Sequence, residues 1–298
     1  LSRLARKSEL YPTRFFLHDV TRSGDTITEG YFGEIEKGLF AGEVVCIKIP
    51  RFFCFVSSTR ILFQALSREI MPWAQISHEN VLPFYGIHPL GDGRGRFGIV
   101  CPFFDNGDVV DYLVKFPNTD RRSLINGVAA GMSHLHDNGI VHGDIKGRNI
   151  LVSSTVPLRA VLADFGLATV ADTNGLMSPD LTSSGDEGGT KQFEAPELFD
   201  PSIPYRRSKA SDVYAFSMAC YEIISGNIPF PGRHGNHVMI MVGRGVRPGR
   251  PVGKMYQDRG LDNVMWKLIE NCWEQDPGQR PSALKILERL SETSTAVS

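Results

Sequence analysis

The chain has 298 residues, 42% of them hydrophobic, with a formal net charge of -1 and a pI near 6.8. That is enough apolar material for one large domain or two lobes with sizeable cores, and it excludes a general electrostatic pull toward nucleic acid or a membrane surface. Any partner must be chosen locally. Cys46, Cys54, Cys101, Cys220 and Cys272 are widely spread, odd in number and without a C-x-x-C pair, the pattern of free thiols in a reducing, intracellular and cytoplasmic setting. There is no signal peptide and no apolar run near about 18 residues, so no membrane insertion is expected. Beginning at Leu1 rather than Met, the chain reads as an excised piece of something longer.

In chain order, strands come first and helices follow. Ile27 to Ile35 reads I-T-E-G-Y-F-G-E-I, where Gly30 and Gly33 allow backbone amides to approach an anion without a Cβ in the way; alone, such a stretch is an ordinary turn. Val44 to Ile49 is β-branched and bounded by Gly42 and Pro50, which predicts a strand ending in Lys48-Ile49. A helix is expected from about Ser58 to Ser77, carrying Glu69 and kinked at Pro72, because the apolar spacing through Ile70, Trp73 and Ile76 continues past the proline. Gly98 to Cys101 is a second buried strand ending at Pro102, and the lobe boundary runs through Pro102 to Gly107. From Arg121, Leu124, Val128, Met132 and Leu135 recur at helical spacing and deliver the chain to His142. Val213 to Ile224 is apolar on nearly every face, as in a helix buried within a domain. Leu261 to Trp273 and Ser282 to Leu290 predict two more helices, separated by Asp276-Pro277-Gly278.

Chemistry concentrates on two segments. His142 to Asn149 reads H-G-D-I-K-G-R-N, and Asp164-Phe165-Gly166 begins fifteen residues after Asn149. Asp144 can accept or orient a hydroxyl proton, Lys146 can neutralise a phosphate, and Asn149 with Asp164 offers the hard oxygen ligands that Mg²⁺ prefers. On these residues the chain resembles the protein kinases, from about Val20 to about Leu290. Further matches are Ala195-Pro196-Glu197, Asp212-Val213-Tyr214-Ala215-Phe216, Arg280 in Gln279-Arg280-Pro281-Ser282, and Cys272-Trp273 followed by Asp276-Pro277. Gly147 after the lysine and Arg247-Pro248-x-Arg250-Pro251 are similar to the tyrosine-kinase-like branch of Ser/Thr kinases.

The resemblance implies an α+β, bilobal fold with a small β-rich N-lobe and a larger helical C-lobe. The expected layout is an N-terminal extension (1–19), a kinase domain (20–292) and a tail (293–298), the domain comprising N-lobe 20–101, hinge 102–107 and C-lobe 108–292. It implies ATP and Mg²⁺ as cofactors, with Mn²⁺ as a second option, and protein substrates bearing Ser/Thr acceptors. By the same resemblance Asp144 and Lys146 are catalytic, and Lys48 holds the α- and β-phosphates while paired with Glu69. Ile27, Gly30, Gly33, Ile35, Cys46, Cys101, Phe104, Asp108 and Leu151 complete the ATP site, and Asn149 and Asp164 hold metal. Within it, Cys46 packs on adenine, Cys101 gates the pocket behind it, Phe104 donates its amide, Asp108 reaches the ribose and Leu151 packs beneath the ring. Asp212 is expected to brace the catalytic-loop backbone, and Arg280 to pair with Glu197. Lys146 and Thr190 match the Ser/Thr-directed kinases; Glu194, in a slot usually filled by an apolar residue, is read either as merely surface-exposed or as favouring a basic residue near the acceptor.

Departures from the pattern, Thr28 for the first glycine, Pro72 and Gly143, point to the alternative of a catalytically weak pseudokinase scaffold, while the tripeptide H-G-D alone also suits a small-molecule phosphotransferase. No Lys or Arg occurs from Ala160 to Thr190, whereas Asp172, Asp180, Asp186 and Glu187 make the segment acidic. A phosphate on Thr182, Ser183 or Ser184 would meet repulsion there, so phosphorylation is not expected to be needed for activity.

Overall fold

The computed structural model describes residues 15–30, 33–50, 70, 73–92, 96–164, 169–170 and 190–295. The chain divides into two compact units, Leu1–His78 with Leu82–Phe104, and Glu79–Val81 with Asp105–Ser298. Among the described residues, no helix is long and apolar enough to cross a membrane.

The first unit is an antiparallel sheet of β1 (Thr21–Gly30), β2 (Gly33–Phe40), β3 (Glu43–Pro50), β4 (Gly86–Pro89) and β5 (Phe97–Pro102), in the order β1-β2-β3-β5-β4. Val45, Ile47 and Ile49 of β3 point to one face and pack with Val20 and Val100, while Cys46 and Lys48 alternate onto the other. The expected strands Val44–Ile49 and Gly98–Cys101 thus form, each slightly longer than the β-branched run predicts. On β1 and β2, the buried Glu36 accepts two bonds from the Arg22 guanidinium, at 2.8 and 2.6 Å, so its charge is matched where water cannot reach it.

Of the helix expected over 58–77, Ile70 and Trp73 are helical, but the turn ends earlier than Ser77. The Ile76 amide closes back on Trp73 O at 3.1 Å, a tightened last turn, and the Trp73 indole N–H is fixed on Leu82 O. Pro72 and the expected kink lie outside the described residues.

The second unit is mostly helical, with α1 (Val109–Lys115), α2 (Arg121–Asp137), α3 (Lys209–Ser225), α4 (Gly235–Gly243), α5 (Lys254–Asp258), α6 (Asn263–Cys272) and α7 (Ala283–Thr295). Two small antiparallel sheets accompany them, β6 (Ile140–Val141) with β9 (Thr169–Val170), and β7 (Ile150–Val152) with β8 (Ala160–Leu162). Helix α3 is buried on almost every face, as its largely apolar run predicts; a Ser208–Ser211 capping box starts it and Gly226, at φ 76°, ends it. Helix α2 packs against α3, α7 and β8, and Arg121 at its first turn spends its guanidinium on Ile223 O and Pro117 O. Asp262 caps α6 through Met265 N, so this helix starts just after the predicted Leu261.

Candidate active site

In the helical unit the site is built on the loop between β6 and β7. Asp212, near the start of α3 and 1% exposed, turns its carboxylate on that loop: Oδ2 accepts the His142 amide at 2.8 Å and the His136 Nε2 group at 2.9 Å, and Oδ1 accepts the Gly143 amide at 2.8 Å. Three donors on one buried carboxylate fix the backbone just ahead of Asp144. Gly143 has φ 84°, a left-handed conformation that glycine adopts freely and that costs another L-residue roughly 1–2 kcal/mol. The departure at this position therefore suits the loop geometry.

Asp144 follows, 7% exposed. Its Oδ2 faces Lys146 Nζ at 2.9 Å and accepts a bond from Asn149 Nδ2 at 2.8 Å; the same amide nitrogen reaches Asp144 O at 2.8 Å. Asn149 is thereby oriented, with its nitrogen engaged and its oxygen as the end suited to a hard cation. A short 3₁₀ turn, Gly147–Asn149, places it there.

The β7–β8 hairpin brings the second oxygen donor to the same end. Its register is Ile150 to Leu162, Leu151 to Val161 and Val152 to Ala160, and beyond it the Ala163 amide bonds to Asn149 O at 2.9 Å. Asp164 comes next, with φ 66°, an uncommon conformation for a residue with a Cβ and one often found where strain serves a site. His142 Nε2 to Ala163 O, at 3.0 Å, ties the two loops together, while His142 Nδ1 accepts the Asp144 amide.

Two carboxylates near this loop show what the motif alone could not. Glu222 on α3 accepts the Gly147 amide at 2.9 Å, and burial pushes its pKa up to about 7, opposed by that hydrogen bond and by Arg148 and Lys146. Asp108 caps α1 with Oδ1, accepting from Val110 and Asp111, and its Oδ2 accepts from Arg148 at 2.8 Å; Arg148 also reaches Asp111 at 2.6 Å. The residue expected to contact the ribose is a helix cap and an ion-pair partner of Arg148. Leu151, partly buried, forms an isolated bridge with Asp108. His136 and Glu222 were not singled out in the sequence; the available signal was a polar residue set within an otherwise buried helix face.

Further along, the expected Glu197–Arg280 pair forms as two parallel bonds of 2.7 and 2.8 Å, with the Arg280 side chain fully buried and also donating to Ala210 O and Glu274 O. Glu194 needs correction. It is buried rather than on the surface, and its carboxylate is met by Lys191 at 3.1 Å and Arg207 at 3.9 Å, so its charge is already answered within the chain. The sequence could not show Arg207 folding back to it.

In the sheet unit, Cys46 and Lys48 lie on β3 and Cys101 on β5, with Cys46 directly opposite Cys101 and Lys48 opposite Ile99. Ile35 of β2 pairs with Lys48, and Gly30 pairs with Gly33 at the end of the β1–β2 hairpin. Ile27 is 45% exposed. Phe103 continues the ladder through its amide to Val44 O, leaving Phe104 as the last residue of this unit. Glu69, Phe165, Gly166 and the segment bearing Asp172, Asp180, Thr182, Ser183, Ser184, Asp186 and Glu187 lie outside the described residues.

Among the described residues, no cluster of three or more His, Cys, Asp or Glu side chains is arranged for a metal ion; the oxygen donors at the hairpin end are one amide and one carboxylate. That donor set fits Mg²⁺, which keeps several waters and takes few protein ligands.

The family described as protein tyrosine and serine/threonine kinase matches residues 21–290. The chain is 30% identical to serine/threonine-protein kinase VIK of Arabidopsis thaliana, over 89% of this chain and 58% of that protein. It is 28% identical to serine/threonine-protein kinase STY17 of the same plant, over 88% and 43% respectively. Protein-tyrosine kinase 6 of Homo sapiens is 29% identical over 88% of this chain and 54% of its own length. The chain spans about half the length of the curated relatives it matches.

Proposed function

We propose that this chain, which belongs to the protein tyrosine and serine/threonine kinase family, transfers the γ-phosphoryl of ATP to Ser/Thr hydroxyls on protein substrates. The observation that carries this reading is the fixed constellation of Asp144, Lys146 and Asn149 on a loop braced by Asp212. Phosphoryl transfer asks a protein for positioning and charge stabilisation more than covalent chemistry, and a rigid, charge-bearing loop answers that demand.

In this proposal Asp144 orients the acceptor hydroxyl and receives its proton at a carboxylate oxygen, while Lys146 offsets charge on the transferred group. Lys48, paired with Glu69, holds the α- and β-phosphates; Ile27, Gly30, Gly33, Ile35, Cys46, Cys101, Phe104, Asp108 and Leu151 serve the nucleotide. Asn149 and Asp164 would hold Mg²⁺, which supplies neutralisation of phosphate charge when bound. The kinase domain is assigned to 20–292, acting in the cytoplasmic setting that free thiols suit. Lys146 and Thr190 support Ser/Thr acceptors, whereas relatives of both acceptor types lie at similar identity.

Incubation with labelled ATP, Mg²⁺ and a generic basic protein, followed by phosphosite mapping, tests this directly. Label on Ser and Thr is the expected result. Label on Tyr overturns the acceptor class, label only on small molecules points to a small-molecule phosphotransferase, and nucleotide binding without transfer points to a scaffold.

A further inference from the structure

Cys46 and Cys101 are 55 positions apart in sequence and directly opposed in the β3–β5 ladder. The Phe103 amide bonds to Val44 O, and hydrogen-bonded pairs alternate along an antiparallel ladder, so Cys46 and Cys101 occupy a hydrogen-bonded position. Such a pair has Cα atoms about 5.5 Å apart, inside the roughly 4.4–6.8 Å span that a disulfide bridges. Opposed residues point to the same face of a sheet, and the side chains meet: the Cys101 thiol donates toward Cys46 O at 3.9 Å. Cys101 is 5% exposed and Cys46 only partly buried, so Cys46 is the more accessible residue of the two. Cys220 and Cys272 on α3 and α6 are buried, and burial pushes the Cys272 thiol up to about 12.

We propose that Cys46 and Cys101 form a reversible, peroxide-driven disulfide across β3 and β5, a redox modification site in the sheet unit. The Cys46 thiolate attacks one peroxide oxygen; an S–O bond forms as the O–O bond breaks, giving Cys46 sulfenic acid and hydroxide. Cys101 sulfur then attacks the Cys46 sulfur, the S–O bond breaks, and the Cys101 proton leaves with the hydroxyl group as water. Two thiols and one hydrogen peroxide thus yield one disulfide and two waters, the sulfurs losing the two electrons that the peroxide gains.

The division of roles follows from the surroundings. The hydrogen bond from Cys101 lowers the Cys46 pKa against the effect of burial, and the Lys48 ammonium two residues along the same face lowers it further. Cys101 is pushed well up by giving that bond and by its own burial, which suits a resolving thiol rather than the first nucleophile. A consequence for nucleotide binding rests on the reading above, in which Cys46 and Cys101 face ATP: the cross-link replaces the thiol surface beside Lys48.

The test uses the full chain carrying Cys54→Ser, so that the one cysteine outside the described residues cannot compete. After graded hydrogen peroxide at neutral pH, peptide mapping should find Cys46 linked to Cys101, released by dithiothreitol, with Cys220 and Cys272 still thiols. In Cys101→Ser protein, Cys46 should instead stall as a sulfenic acid that dimedone traps. Cys46 over-oxidised while Cys101 remains a thiol, or both cysteines unchanged at doses that oxidise an unstructured thiol peptide, would overturn the proposal. A fluorescent ATP analogue should bind the cross-linked protein about tenfold more weakly than the reduced protein. If the cross-link forms and the affinity does not change, the redox pair stands and the placement of these cysteines at the nucleotide fails.

Discussion

In the sheet unit, Cys46 and Lys48 take their places from β3 itself: alternate residues bury Val45, Ile47 and Ile49, and the ladder to β2 and β5 sets everything else. In the helical unit, Asp144 and Asn149 sit in a loop, and their positions depend on buried polar groups from distant parts of the chain, above all Asp212 and Glu222 on α3 and His136 on α2. One unit orients its residues by apolar packing and register, the other by charge-assisted hydrogen bonds. The first arrangement tolerates polar change on the open face and resists changes of volume; the second tolerates little change of charge at all.

Four substitutions can break or sharpen that contrast. Asp144→Asn should lower turnover by ~10²- to 10⁴-fold, about 3–5 kcal/mol of barrier, with ATP affinity held within a few-fold, because proton handling is lost while the loop keeps its shape. Turnover and nucleotide affinity measured side by side check it, and full activity in the variant would remove the catalytic assignment. Glu197→Ala leaves the buried Arg280 guanidinium without its carboxylate and should cost about 3–5 kcal/mol of stability in urea titration; a loss below about 1 kcal/mol would mean that charge pairing is not what holds this unit.

Glu222→Gln sharpens the contrast through pH. The folded-state pKa of about 7 stands above the ordinary glutamate value of 4.5, so between these values the fold holds a proton that the unfolded chain has released. Wild-type stability therefore falls as pH rises from about 4.5 through about 7 and stays lowered above that window. Glutamine keeps an acceptor for the Gly147 amide without the buried charge, so the variant should match wild type near pH 4 and exceed it by about 3 kcal/mol near pH 8. Parallel stability curves at the two pH values would contradict the burial argument. The smallest effect belongs to the sheet: a Cβ on Gly98 would lie 2.2 Å from Ile47 Cγ2, so Gly98→Ala should destabilise by roughly 1–3 kcal/mol through overpacking, without any pH dependence. A thermal melt at two pH values checks both parts.

What could be read in advance divides along the same line. The strands at Val44–Ile49 and Gly98–Cys101 and the buried α3 were legible because their signals are local: β-branched runs between breakers, and apolar residues on every face. The bracing by Asp212 and the Glu197–Arg280 pair came only through likeness to a family, since nothing local in either stretch announces its partner. His136 and Glu222 escaped because each lies on a helix whose apolar positions already explain its burial. Glu194 was misjudged for a related reason: its neighbours Lys191 and Arg207 converge on it only once Thr190–Gln192 has turned and residues 200–207 have folded back. The facing of Cys46 and Cys101 was equally invisible, because cross-strand register joins residues that share no stretch of sequence.

The carboxylate of Asp212 has a consequence on the time axis. His142 and Gly143 belong to neither helix nor strand, and loop amides commonly trade their protons with water early. These two are held instead by a group 1% exposed at the start of a largely buried helix. Their deuterium uptake must wait for α3 to part from the loop, so this short irregular segment keeps pace with the slowest-exchanging core of its unit, and its two amide signals become a clock for the opening of the whole helical body.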